Sequence, residues 1–224
     1  MANKGGQFER DLCRALSVWW AGDPDTDVLF WRTSQSGGRA TQRAKSGRRT
    51  HAAHCGDIAA LDERGAPLTR LITFEAKRGY PATTLHAMLD HHPSRPFPKS
   101  DTYPHWIDQA SAAASHAGTP YWCVVHARPG RDWMATLPAA LFDALDCTPR
   151  TVSPPLVRIF TGKIDLVCCK LTAFLDGVTP AEIRRVAARV ASTASQKTAA
   201  GDRVGVLPAL PALPPVAPDP AGHH

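Results

Sequence analysis

The stretch Leu68 to Gly79, LTRLITFEAKRG, most restricts what this chain can become, because a carboxylate and an ammonium sit two residues apart at the end of a branched and aromatic run. The run ends at Gly79, ahead of Pro81, and so is bounded as a strand is. In extended backbone the side chains at i and i+2 leave the same face, so Glu75 and Lys77 point together while Phe74 and Ala76 point the other way. Such a pair is ordinary on a solvated strand face, and its meaning depends on what neighbouring segments bring to it. No other lysine in the 224 residues has an acidic residue two positions before it.

The preceding residues supply a second carboxylate. GDIAALDERGAPLTRLITFEAKRG reads as a β-hairpin in which two apolar runs flank the turn-rich DERGAP. Antiparallel pairing would then set the start of the first strand, Asp57, beside the end of the second, with Glu75 and Lys77. Phosphodiester hydrolysis needs an activated water, neutralisation of charge developing on the phosphoryl oxygens, and help for the leaving oxygen. A hard divalent cation serves all three, and magnesium is commonly held by one or two carboxylates plus the substrate phosphate. Asp57 and Glu75 are such a pair, and the Ala76 carbonyl would add an oxygen between them. Lys77 would stand beside the nucleophile or the scissile phosphate.

Charge points to a polyanionic partner. The formal net charge is +6, and between Arg32 and Gly56 the basic residues Arg32, Arg39, Arg43, Lys45, Arg48 and Arg49 occur with no acidic one. Interleaved Ser, Thr, Gln and Gly suit close approach to phosphate oxygens, so this loop is either a DNA-backbone contact or a solvated basic loop. With 43% hydrophobic and 21% charged residues, the composition is that of a soluble globular protein. MANKGGQFERDL does not resemble a signal peptide, and no stretch nears the roughly 20 apolar residues of a membrane span. The expectation is a cytoplasmic protein with no membrane partner. The six cysteines show no Cys-x-x-Cys spacing and read as free thiols, and HAAHC (His51, His54, Cys55) is not followed by a second zinc-ligand pair.

Elsewhere, residues 6–20 read as an amphipathic helix with Phe8, Leu12, Leu16 and Trp19 on one face and Glu9, Arg10, Asp11 and Arg14 largely off it. VLFWRT reads as a short strand, TTLHAMLD as a short helix, and HHPSRPFPKSDTYP as an irregular loop. HWIDQASAAASHAG reads as a helix ending at Gly118, followed by the buried strand PYWCVVHAR, a crossover unit that implies a mixed sheet. DWMATL is expected as an outer strand, PAALFDAL as a helix, and LVRIF and DLVCCKL as strands. TPAEIRRVAARVA is a helix whose capping box is Thr179 with Glu182, and Pro180 takes its first position. Residues 192–224, Pro- and Ala-rich, are expected to form a disordered tail after a domain of residues 1–191.

Glu9 on the first helix, Gly56-Asp57 at a strand start and Glu75-Ala76-Lys77 on the next strand together resemble the PD-(D/E)xK nuclease superfamily. The phrases KGGQFERDLCRALSVWW and FWRTSQSGGRAT are similar to small phage or prophage members, in the style of Holliday junction resolvases and restriction-type nucleases. The resemblance covers residues 4–127. It implies an α/β fold, a restriction endonuclease-like mixed β-sheet flanked by α-helices. It implies Asp57 and Glu75 as ligands of Mg2+ (Mn2+ as a substitute), Lys77 as the catalytic lysine and Glu9 as the acidic residue of the first core helix. Glu9 otherwise reads as the partner of an Arg one turn away. Gly56 departs from the Pro of the signature, and Gln109, on the helix after the catalytic strand, falls where some members use a polar residue near the site, or else reads as a surface residue. The implied activity is metal-dependent DNA cleavage, on branched DNA in resolvase-like members, by a homodimer if both strands of symmetric DNA are cut. The competing reading is a non-catalytic DNA-binding or phage packaging-associated module that keeps the fold.

Overall fold

The computed structural model describes residues 4–26, 28–33, 56–61, 63–85, 102–148, 150–160 and 165–201. Helix α1 (Lys4–Ala21) buries Phe8, Leu12, Cys13, Leu16 and Trp20. Trp20, one turn after Leu16, is the buried tryptophan of its last turn, whereas Trp19 is half-buried and donates its indole N–H to the Val178 carbonyl. Buried Ser17 ties this helix to the next segment. Its hydroxyl donates to the Cys13 carbonyl and accepts from the backbone N–H groups of Leu29 and Phe30 at 2.9 and 3.2 Å.

Strand β1 (Phe30–Arg32) pairs antiparallel with β2 (Ile58–Ala60), Phe30 opposite Ala60 and Arg32 opposite Ile58. The expected hairpin between the Asp57 and Glu75 segments is therefore not the pairing adopted. After DERG the chain enters a short helix, α2 (Ala66–Leu71), with a proline in its first turn and Leu68 and Leu71, three apart, buried. Strand β3 (Ile72–Arg78) starts only after that helix. One bond survives from the anticipated neighbourhood: the Asp57 N–H donates to the Phe74 carbonyl at 2.8 Å.

β3 forms one edge of a five-stranded mixed sheet of order β3-β4-β5-β7-β6, comprising also β4 (Tyr121–Ala127), β5 (Met134–Pro138), β6 (Leu156–Phe160) and β7 (Asp165–Lys170). β3 and β4 are parallel, with Glu75 opposite Val124 and Lys77 opposite His126, as the helix between them requires. That crossover helix, α3 (Tyr103–Ala117), closes at Gly118, whose φ of 70° allows its N–H to reach the Ala114 and Ser115 carbonyls. The remaining pairings are antiparallel. β5 was expected at the outside but lies in the middle of the sheet. Ala135, Thr136 and Leu137 are all buried, so both of its faces are covered and no alternation of polarity marks it.

Helices cover both faces of the sheet. α3 packs Trp106, Ile107, Ala110 and Ala114 against Trp122, Val124 and Leu166. On the other face α1 joins Phe74, Cys123, Val125 and Leu137, together with residues of α4 (Ala139–Ala144), α5 (Leu171–Gly177) and α6 (Pro180–Gly201). α5, directly after β7, is a helix that the periodicity of DLVCCKL does not announce. At the start of α6 the Thr179 N–H donates to Glu182 Oε2 at 2.6 Å and the Glu182 N–H to Thr179 Oγ1 at 3.3 Å, the anticipated capping box.

The chain divides into Met1–Val190 and Ala191–His224. In the second unit α6 continues to Gly201, past the point where apolar periodicity stops, and residues 202–224 lie outside the described ones. Cys13, Cys123, Cys147, Cys168 and Cys169 are free thiols, and Cys55 lies outside the described residues. Among the described residues no helix is long and apolar enough to cross a membrane.

Candidate active site

Two chain segments meet at the outer edge of β3. Gly56 leads in with φ of +76°, where a Cβ would stand 2.7 Å from Thr73 Cγ2 and 2.8 Å from the Phe74 carbonyl oxygen. A proline, with φ locked near −65°, could not take that conformation, which accounts for the departure at the signature's first position. The Thr33 hydroxyl donates to the Gly56 carbonyl at 2.7 Å, and the Thr33 N–H to the Asp57 carbonyl at 3.0 Å. With Asp57 N–H on Phe74, these bonds fix the Asp57 backbone from both sides.

The side chain of Asp57 then returns to β3, where its Oδ2 accepts the Ala76 N–H at 2.8 Å. Because Phe74 and Ala76 both direct their polar backbone groups to the edge away from β4, strand alternation puts the Ala76 carbonyl on that edge too. Asp57 is 6% exposed. Burial first, then the Glu75 carboxylate, push its carboxyl up to about 8, with Glu9 adding to the effect and the Ala76 N–H and Lys77 opposing it.

Glu75 and Lys77 share the face turned to α3, as i and i+2 residues must. Both are largely buried, and Lys77 Nζ donates to Glu75 Oε1 at 2.7 Å. Gln109 of α3 closes a triangle: its Nε2 donates to Glu75 Oε1 at 2.7 Å and its Oε1 accepts from Lys77 Nζ at 2.9 Å. Of the two readings open for Gln109, near the site or at the surface, the structure takes the first. Its position three residues after Trp106 and one before Ala110, on the flank of the apolar stripe facing the sheet, is the local signal for it.

Glu9 also comes in from α1. Its Oε2 lies 3.2 Å from Arg32 Nε of β1, so its partner is not the Arg one turn along its own helix. That oxygen is buried and has no hydrogen bond of proper geometry. Behind it the Cys13 thiol is pushed up to about 12, mainly by burial and then by the carboxylates of Glu9 and Asp57. Arg32 is thus the one member of the basic group that the structure describes; Arg39, Arg43, Lys45, Arg48 and Arg49 lie outside the described residues.

Glu9, Asp57 and Glu75 bring more negative charge to this edge than Lys77 and Arg32 offset, which adds to the effect of burial in raising the Asp57 carboxyl. Among the described residues no three Asp, Glu, His or Cys side chains form a ready metal-holding group. The donor set fits a hard cation in a sparser way. Asp57 and Glu75 each have one oxygen engaged by protein N–H groups and a second without a hydrogen bond among the described residues, with a backbone carbonyl on the same edge.

No curated protein and no solved structure matches the chain. A family model described as "Phage putative PDDEXK endonuclease" matches residues 1–185. The match runs well past residues 4–127, where the resemblance in sequence was read, and includes β5, β6, β7 and α5. It takes in every residue of the cluster at the β3 edge, and the chain belongs to this phage PDDEXK endonuclease family.

Proposed function

We propose that the chain is a divalent-metal-dependent DNA endonuclease that hydrolyses phosphodiester bonds, with Mg2+, or Mn2+ in its place, held by Asp57, Glu75 and the Ala76 carbonyl. The observation that carries this reading is the burial of Asp57 and Glu75 at one strand edge, each with one carboxylate oxygen held by protein N–H groups and the other without a hydrogen bond among the described residues. Bound there, the cation would activate water and neutralise the phosphoryl oxygens. The protein's own part is positioning. Ala76 N–H fixes Asp57, and Lys77 and Gln109 fix Glu75. An ammonium has three donors, and Lys77 uses two of them on Glu75 and Gln109, so one remains for the nucleophile or a phosphate oxygen. Glu9 supports the site from α1. Arg32, Arg39, Arg43, Lys45, Arg48 and Arg49 contact the DNA backbone. The protein acts in a bacterial host cell on behalf of a phage or prophage, on branched DNA and as a homodimer. Residues 1–191 form its nuclease domain.

The test is incubation of purified protein with linear, supercoiled and four-way branched DNA, with Mg2+, Mn2+ or chelator. Cleavage that requires metal and is lost in Lys77→Ala, while DNA binding survives, supports the reading. Metal-independent binding without cutting of any substrate overturns it in favour of a non-catalytic module. Against that module stand the acidic residues themselves, since buried carboxylates beside DNA repel phosphate unless a cation intervenes.

A further inference from the structure

Beyond Lys77 the rim of the sheet opens into a concavity of about 540 Å3 that does not include Asp57, Glu75 or Lys77. Three arginines line it: Arg78, the residue after Lys77, and Arg128 and Arg131 of the turn between β4 and β5. That turn is written plainly in the sequence. Arg128-Pro129-Gly130-Arg131 has proline at the second position and glycine with φ of 66° at the third, and the Arg131 N–H donates to the Arg128 carbonyl at 3.2 Å. These are the requirements of a type II turn, which fixes the two arginines at its first and fourth positions.

The charge balance is uneven. Asp11 lies 3.8 Å from Arg78, and Asp132 lies 2.7 Å from Lys170. Each aspartate at the concavity therefore has its own cation, and Arg128 and Arg131 remain in excess. Neither guanidinium has a hydrogen bond or ion pair among the described residues, Arg131 is exposed, and Arg128 is half-buried. Arg128 also stands near buried His126, whose imidazole is lowered to about 4 by burial and then by that guanidinium, so no second cation sits beneath it at neutral pH. A concave site with unpaired planar guanidinium groups is made for an anion with several oxygens.

Its position says which anion. Arg78 is in register with Ala127, the residue before Arg128, so the concavity lies at the same end of β3 as Lys77, on the α1 face where Arg78 meets Asp11. From β3 to β5 is two strand spacings, about 10 Å, or roughly three nucleotides of rise along one DNA strand. We infer that Arg78, Arg128 and Arg131 form a groove for the backbone phosphates of the substrate strand, some nucleotides from the scissile one. This deepens the nuclease reading and rests on it. The groove contacts phosphates alone, so it adds affinity and register without reading sequence.

The experiment measures duplex DNA binding by fluorescence anisotropy in chelator, where nothing is cut, between about 50 and 200 mM salt. The variants are Arg128→Ala/Arg131→Ala, the charge-keeping Arg128→Lys/Arg131→Lys, and the exposed single change Arg131→Gln, with melting curves for each. The double alanine variant is expected to bind about tenfold more weakly and to lose about 0.9 from the salt slope per phosphate contact removed. The lysine variant should recover most of that slope, and Arg131→Gln should lose about half as much. Wild-type affinity and slope in a folded alanine variant, or in Arg131→Gln if the double variant does not melt cooperatively, overturns the groove and leaves the nuclease reading standing. Failure of the unaltered protein to bind DNA overturns the groove, whereas the nuclease reading falls only if the cleavage assay with metal fails as well.

Discussion

Two clusters of charge in this molecule use similar residues to opposite ends. At the far edge of the sheet Arg158 of β6 reaches Asp143 and Asp165 at 3.2 and 2.8 Å, with all three side chains substantially exposed. Its partners hold the guanidinium above its ordinary value, and Arg158 holds Asp165 below the usual carboxylate range. Each group is charged in the state its neighbour favours. At the β3 edge, by contrast, Asp57, Glu75 and Lys77 are taken out of water, the carboxylates outnumber their cations, and Asp57 is driven toward its neutral form. An exposed, matched network is a solvated face that salt screens. A buried, mismatched one is costly for folding and is the arrangement that a cation would relieve.

The difference is sharpest at Lys77. Lys77→Ala should lower cleavage by a factor of about 100 or more and, by leaving Glu75 buried without its cation, cost about 3 kcal/mol of stability. Steady-state cleavage and denaturant melts check the two effects separately.

Asp57→Asn probes the charge imbalance in the metal-free protein. The folded carboxyl near 8 lies above the unfolded value of about 3.9, so the folded state keeps a proton that the unfolded chain releases. The stability this supplies is complete below about pH 3.9 and gone once the pH has passed about 8. Melting temperatures in chelator should therefore show the wild type losing stability relative to Asp57→Asn across that window. Parallel curves would mean that Asp57 is ionised throughout.

Gln109→Ala removes the amide that joins Glu75 to Lys77. The expected loss is about 1 to 2 kcal/mol and a smaller fall in cleavage than for Lys77→Ala, and wild-type turnover would show that the amide is idle in the reaction. The smallest effect belongs to the exposed cluster. Arg158→Ala should leave both melting temperature and cleavage at wild-type values, and a marked loss in either would erase the contrast between the two regions.

How much of this was legible in the sequence follows the range of each interaction. The i and i+2 pairing of Glu75 and Lys77, the Gly118 stop of α3, the capping box of α6 and the parallel crossover from β3 to β4 all depend on neighbouring residues or on connection length, and all are seen. The partner of β2 and the rank of β5 in the sheet depend on contacts far along the chain. There the local pattern misled: Leu68 and Leu71 suit a strand or a helical turn, and the structure takes the turn. Asp57 reached the β3 edge even so, because backbone bonds from Thr33 and to Phe74 hold it there without a hairpin. Gln109 stayed open between site and surface since a polar residue beside an apolar stripe looks the same whether it meets solvent or a buried ion pair. Thr83 to Leu85, the start of TTLHAMLD, are not helical, and the rest of that segment and most of the basic loop lie outside the described residues.

The central claim is that Asp57 and Glu75 together hold one hard cation, and calorimetric titration of Mn2+ into the wild type, Asp57→Asn and Glu75→Gln tests it most directly. The account predicts saturable binding by the wild type, weakened at least about tenfold by either substitution, a difference of about 1.4 kcal/mol. Equal binding by wild type and either variant would contradict it.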